Sequence, residues 1–163
     1  MLFGLSSAAL ARSEHGPALS LAKQLIEIGA GQQTRQALAI AHYAQALPRH
    51  YLGDLAGARE HFLQAVTHHR QEDFAGLPLA DPIIGALLMG GANEWQLGYP
   101  EAALRYANNA IALARHEVNP TLGAFALTTS CYVHLLRRDY ERTLEASSEG
   151  ARLAAAAKLP PSD

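Results

Sequence analysis

The sequence predicts an all-α protein, a solenoid of about four antiparallel helix pairs, and three observations carry that expectation. The first is a repeated punctuation. Leu52-Gly53-Asp54-Leu55 returns as Leu97-Gly98-Tyr99-Pro100, with weaker copies at Ser13-Glu14-His15 and Arg138-Asp139-Tyr140. Self-similarity at a period of about 34 to 45 residues marks stacked helical pairs. The second is a set of small residues in register with that punctuation. Five positions beyond Ser13, Gly53, Gly98 and Arg138 stand Ala18, Ala58, Ala103 and Thr143. Nine beyond stand Ala22, Phe62, Ala107 and Ser147, and twelve beyond stand Leu25, Ala65, Ala110 and Gly150. These offsets share one helical face, and small side chains there let two helices approach closely. The third is composition: 32 alanines and 25 leucines in 163 residues, with sparse isoleucine, valine and aromatics, sum to a high helix propensity.

Each element follows from its own signals. First helices precede the punctuation, at about 2–12, 36–51, 82–97 and 121–136. Second helices follow it, at about 17–29, 55–70, 100–116 and 140–157. The repeats then divide one domain at about 1–33, 34–80, 81–118 and 119–159. Pro17 and Pro100 fall near the starts of second helices, where a missing N–H costs nothing. Asp54 and Asp139 stand where an N-cap is wanted, and Asp81-Pro82 and Asn119-Pro120 open the third and fourth pairs. Glu101 and Arg105 form an i,i+4 pair on an exposed face. Gly53 and Gly98 are expected in tight turns, where a side chain would strain the backbone. Two places interrupt the pattern. Gln71 to Ala80, with Gly76 and Pro78, is a longer connection, and Pro48 should kink or shorten its helix.

Charge excludes several functions. The formal net charge is −2, and 11 Arg and 2 Lys form no basic stripe, so nucleic acid is not expected as a partner. Cys131 is the sole cysteine, which excludes an internal disulfide and a cysteine zinc site and suits a buried spectator. No apolar run approaches the ~20 residues of a membrane span. The opening stretch, Met1 to Ala11, has the A-x-A ending of a signal peptide without its positive start, and it is in phase with the repeat. A cytoplasmic protein is the expectation.

Candidate chemistry is thin. Among eight histidines, His61 and His68 stand seven apart with His69 adjacent. Zinc would need three or four convergent donors, whereas solvated or helix-terminal histidines account for the same residues. Gly29-Ala30-Gly31-Gln32 lacks the lysine of a phosphate-binding loop and fits a helix C-cap. No nucleophile has a catalytic context and no cofactor motif is present, so an enzyme is not expected.

The offsets resemble those of the tetratricopeptide repeat. More closely, Ala58-Arg59-Glu60-His61-Phe62, Trp95-Gln96-Leu97-Gly98-Tyr99-Pro100-Glu101-Ala102-Ala103-Leu104, and Asn119-Pro120 leading to Ala124-Phe125-Ala126-Leu127 and His134 resemble one group of such arrays. These are the tails of bacterial nucleotide-cyclase, signal-transducing ATPase and LuxR-type regulators. The resemblance covers nearly the whole chain; Pro48 and the non-glycine punctuation of the outer pairs depart from it. It implies a right-handed superhelix and a non-catalytic interaction or scaffold segment of a signalling protein. The alternative it implies is a small-molecule-sensing segment of such a regulator.

In that family first helices line the concave face, and their outward residues make the ligand contacts. By phase these are Tyr43, Leu47 and His50, then Met89, Ala92, Asn93 and Gln96, then Thr128, Thr129 and Tyr132. The set is aromatic and neutral, which suits an apolar peptide or a small neutral ligand. Packing between neighbouring helices is the competing role, for Leu47 and Trp95 above all. Neither end looks like a polar cap: Leu2, Phe3, Leu5 and Leu10 precede Arg12, and Leu153 to Ala157 precede Lys158, Leu159 and Pro160-Pro161. Uncapped arrays expose the face that a neighbour would cover. A slice of a longer regulator, or self-association through the ends, is the expectation.

Overall fold

Among the described residues eight helices run in chain order: α1 (Leu2–Ala11), α2 (His15–Gln32), α3 (Arg35–Tyr51), α4 (Leu55–His68), α5 (Ile83–Gln96), α6 (Pro100–His116), α7 (Pro120–Leu136) and α8 (Tyr140–Ala156). A 3₁₀ turn, Gln71–Phe74, follows α4. The computed structural model describes residues 2–32, 34–74, 82–116 and 120–156, and no strand occurs among them. No helix among the described residues is long and apolar enough to cross a membrane.

The four punctuation residues build one turn four times. Gly53 and Gly98 both take φ +83°, and Ser13 and Arg138 take 61° and 60°. In each turn the left-handed residue donates to the carbonyl three back, as in Gly53 to His50 at 3.0 Å. The next residue donates to the carbonyl five back: Glu14 to Ala9, Asp54 to Arg49, Tyr99 to Glu94 and Asp139 to His134, each at 2.9 Å. This is the Schellman closure, which satisfies carbonyls that a helix end leaves orphaned. Glycine enters the left-handed region freely, whereas Ser13 and Arg138 carry a cost of about 1–2 kcal/mol each. Asp54 and Asp139 then cap α4 and α8, accepting from Gly57 N at 3.0 Å and Arg142 N at 3.3 Å.

Every helix packs on its successor, and α1, α3, α5 and α7 also pack on one another in sequence. The small-residue register is the seam. Ala18, Ala22, Ala58, Phe62, Ala65, Ala103, Ala107 and Ala110 are all buried. In α8 the same register holds buried Gly150, half-buried Thr143 and exposed Ser147. Three core clusters result. One surrounds Phe62, one joins α5 to α7 through Leu87 and Leu127, and a smaller one sets Val133 against Ala103 and Ala107. Ala103→Leu should overpack this last seam and cost about 1–3 kcal/mol. A denaturation midpoint equal to wild type would show that the seam has slack.

Several sequence expectations are corrected. Pro48 lies inside α3, which continues to Tyr51 and is not shortened by it. Glycines 29 and 31 do not end α2. The chain stays helical to Gln32, and Gly29 faces Ala37 and Ala41 of α3. Glu101 meets Arg137 of α7 at 3.1 Å, so the ion pair joins two helices instead of spanning one turn of α6. α4 stops at His68, and the connection begins as a 3₁₀ turn whose Phe74 is buried. Thr34, unread in the sequence, caps α3 by accepting from Ala37 N at 3.2 Å. Residues 75–81, 117–119 and 157–163 lie outside the described residues, and with them Gly76, Pro78, Asp81, Asn119 and the chain end from Ala157.

Candidate functional site

The outward set of the first helices divides into two groups. Tyr43 lies over Gly85 of α5, where a side chain would collide with the phenol. It is half-buried, and its hydroxyl is pushed up to about 12 by burial and by neighbouring Tyr51. Leu47 and Met89 pack against the Phe62 cluster. His50 and Asn93 were expected outward and are buried, at 9% and 0% exposure, and Ala92 is buried beside them. His50 Nδ1 lies 2.9 Å from Asn93 Oδ1, and Asn93 Nδ2 donates to the Leu55 carbonyl at 2.9 Å. The amide therefore presents its oxygen to His50, and His50 Nδ1 carries the proton. This bond ties α3 to α5.

The second group stays open. Gln96 and Thr128 are exposed, and Tyr132 is exposed by 42%. Thr129 lies in α7, and its side chain is outside the described residues. On α7 the stripe continues through Phe125 and Leu135, 51% and 53% exposed. It borders a recess of about 440 Å³ against Ser147, Ala151 and Ala154 of α8. Register explains the division. Counted from their turns, Tyr43, Leu47 and His50 occupy the positions of Thr128, Tyr132 and Leu135. In α3 that face receives α5, whereas among the described residues no further first helix lies on the corresponding face of α7. Helical phase groups these positions on one face, and α5 covers the part of that face that α3 presents. Cys131, beside the recess, donates to the carbonyls of Leu127 and Thr143, and burial pushes its thiol up, away from the reactive thiolate.

Two side-chain clusters were not assembled from the sequence: His42 was not grouped with His61 and His68, and Arg59 was not paired with Glu94, because the partners lie far apart in the chain. In the first, His42 Nδ1 meets His61 Nδ1 at 2.9 Å, and the His42 ring stacks on His68 at 5.6 Å. His69 turns away to stack on Phe74. Among the described residues no three His, Cys, Asp or Glu side chains are arranged to hold a metal ion. Burial, then the charges of His61 and His68, lowers His42 to about 4. Burial and Arg49 also lower His61, against the opposing pull of Glu60 and Asp54.

The folded protein thus holds His42 neutral over a range in which the unfolded chain, titrating near 6.5, binds a proton. Its contribution to stability is full above pH 6.5 and is lost as pH falls towards 4. With the ring half-buried, we expect a loss of about 1–2 kcal/mol across that window. His42→Gln should flatten the fall in melting temperature between pH 7 and 4.5. An unchanged slope would place its origin elsewhere.

In the second cluster Arg59 Nε meets Glu94 Oε1 at 2.7 Å, and the same guanidinium lies 4.7 Å above the Tyr99 ring. Glu94 is almost wholly buried. Tyr106 packs close on Gly90 in the same neighbourhood, its hydroxyl pushed up to about 12 by burial and by Glu94. Neither cluster sets a nucleophile beside a base; the histidines join the two helices of one pair, α3 and α4, whereas Arg59 and Glu94 join α4 to α5 of the next. Neither a protein-family model nor a curated protein matches this chain.

Proposed function

We propose that the chain is a tetratricopeptide-like array wound as a right-handed superhelix, serving as a non-catalytic interaction or scaffold module of a bacterial signalling protein. One observation carries the reading: four helix pairs are closed by the same left-handed turn at the same register, with their first helices packed in series. Stacking of this kind produces extended surface in place of an enclosed catalytic pocket. The partner segment is an apolar protein or peptide helix. It would lie on the open face of α7, where Thr128 and Tyr132 stand beside Phe125 and Leu135, with Gln96 at the end of α5.

Selection from a displayed library of helical peptides tests this. Apolar sequences should be enriched, and their binding should fall at least tenfold in Tyr132→Ala and in Thr128→Arg. Enrichment indifferent to both substitutions would reject the face. Light scattering identifies self-association through the same face as a competing occupant. The alternative reading, a small-molecule-sensing segment of a nucleotide cyclase or ATPase regulator, draws support from a separate recess at His134.

A further inference from the structure

His134 in α7 has no exposed surface, and neither of its ring nitrogens has a hydrogen-bond partner. Asp139 Oδ2, the acidic group nearest Nδ1, is 3.9 Å away, beyond bonding reach. A buried imidazole left unpaired costs about 1–3 kcal/mol, and folded proteins keep few such groups without a reason. Burial, the largest influence, also lowers its pKa, so the ring is neutral and offers one donor and one acceptor.

His134 lies against a recess of about 310 Å³ between α6 and α8 and is one of the residues that bound it. That volume is at the lower end of small-ligand pockets. Leu127 supplies an apolar floor, Arg115 one wall, and Arg142, Glu145 and Glu149 the other. Arg142 makes only a long contact, 3.7 Å, to Asp139, and Glu149 a 4.0 Å contact to Arg152.

The internal repeat explains why this space is open. Eight positions past its turn, α6 carries Tyr106 and α8 carries Ala146. One pair earlier the Tyr106 ring packs close on Gly90, and Glu94, at the register of His134, pairs through Oε1 with Arg59. At the register of Arg59 the next repeat carries Leu104, which has no polar group to offer. The junction that a tyrosine and an ion pair complete in one repeat is left vacant and polar in the next.

We propose that this recess binds a small zwitterion of the α-amino-acid class. The carboxylate would meet Arg115 and Arg142, the ammonium group Glu145 and Glu149, and a side-chain hydroxyl or amide the His134 ring. Mixed charge on the rim decides the class. A bare anion would be opposed by the two glutamates, and a bare cation by the two arginines. Guanidinium groups match a carboxylate in bidentate geometry. The proposal deepens the small-molecule reading and rests on it only for biological meaning, because occupancy and regulation are measured separately.

The test is calorimetric titration of the intact chain with the free amino acids, with sodium acetate and ammonium chloride as separate controls. The expected result is saturable binding of at least one amino acid bearing a side-chain hydroxyl or amide, with neither control binding comparably. That ligand should shift the His134 imidazole resonances in a ¹⁵N–¹H spectrum. Ala146→Tyr, which installs the residue that closes the preceding junction, should weaken binding at least tenfold. Arg142→Met, on the exposed rim and remote from the core, should do the same and serves if Ala146→Tyr fails to fold. No binding by any amino acid overturns the proposal, as does acetate binding equally well or affinity unchanged in Arg142→Met. Amino-acid binding that leaves the peptide affinity of α7 unchanged would keep the site and reject only its role in regulation.

Discussion

Phe62→Ala is expected to destabilise the protein by about 3–5 kcal/mol, the cost of removing a buried aromatic and leaving a cavity. Phe62 has no exposed surface, and it is the one large residue in a register otherwise held by Ala22, Ala107 and Ser147. Ala46, Ala58, Ala65 and Ala86 pack around it, with Tyr43, Leu47 and Met89 at the rim. Small neighbours on three helices cannot expand to fill the void, so the penalty belongs near the top of the range. For a chain of this length the melting temperature should fall on the order of 10 °C. Phe62→Leu, which keeps most of the volume, should cost less than half as much. A Phe62→Ala midpoint within 2 °C of wild type, to order of magnitude, would show that the cluster can collapse around the loss.

Arg59→Met is expected to cost about 2–3 kcal/mol, although Arg59 itself is half exposed. The penalty lies on Glu94, whose side chain is 5% exposed and whose second carboxylate oxygen already lacks a partner. Removing the guanidinium leaves a buried charge uncompensated, while water on the arginine side limits the loss below that of a fully buried pair. Glu94→Gln in the Arg59→Met background should restore at least half the stability, because the neutral amide is less costly to bury. A double variant no more stable than Arg59→Met alone would assign the loss to the Tyr99 contact and not to the carboxylate. Chemical denaturation of the three proteins settles the comparison.

Much of the fold was legible in the chain. The punctuation and the small-residue offsets together placed the helices, because helix period and left-handed turns are local properties that a few neighbouring residues decide. Gly53 and Gly98 were assigned to their turns on steric grounds, and the alignment that added Ser13 and Arg138 selected two more left-handed residues. The candidate site was less legible. Phase put His50 and Asn93 on an outward face, but phase cannot report that α5 lies over that face of α3. The His42–His61 contact, Arg59–Glu94 and the unpaired His134 each depend on which helix is stacked on which. Residues 19 and 35 apart meet only after that stacking is complete.

The sequence by itself determined the helices, their turns and the seam of small residues, since these follow from backbone sterics and a period of 3.6 residues. Tertiary structure alone decided which faces remain open. Burial is a property of neighbours: the same register is core in α3, where α5 covers it, and surface in α7. The same reason separates Tyr106 from Ala146. One fills its junction and the other leaves space beside a neutral histidine, a difference visible in the sequence only once the stacking has aligned the two positions.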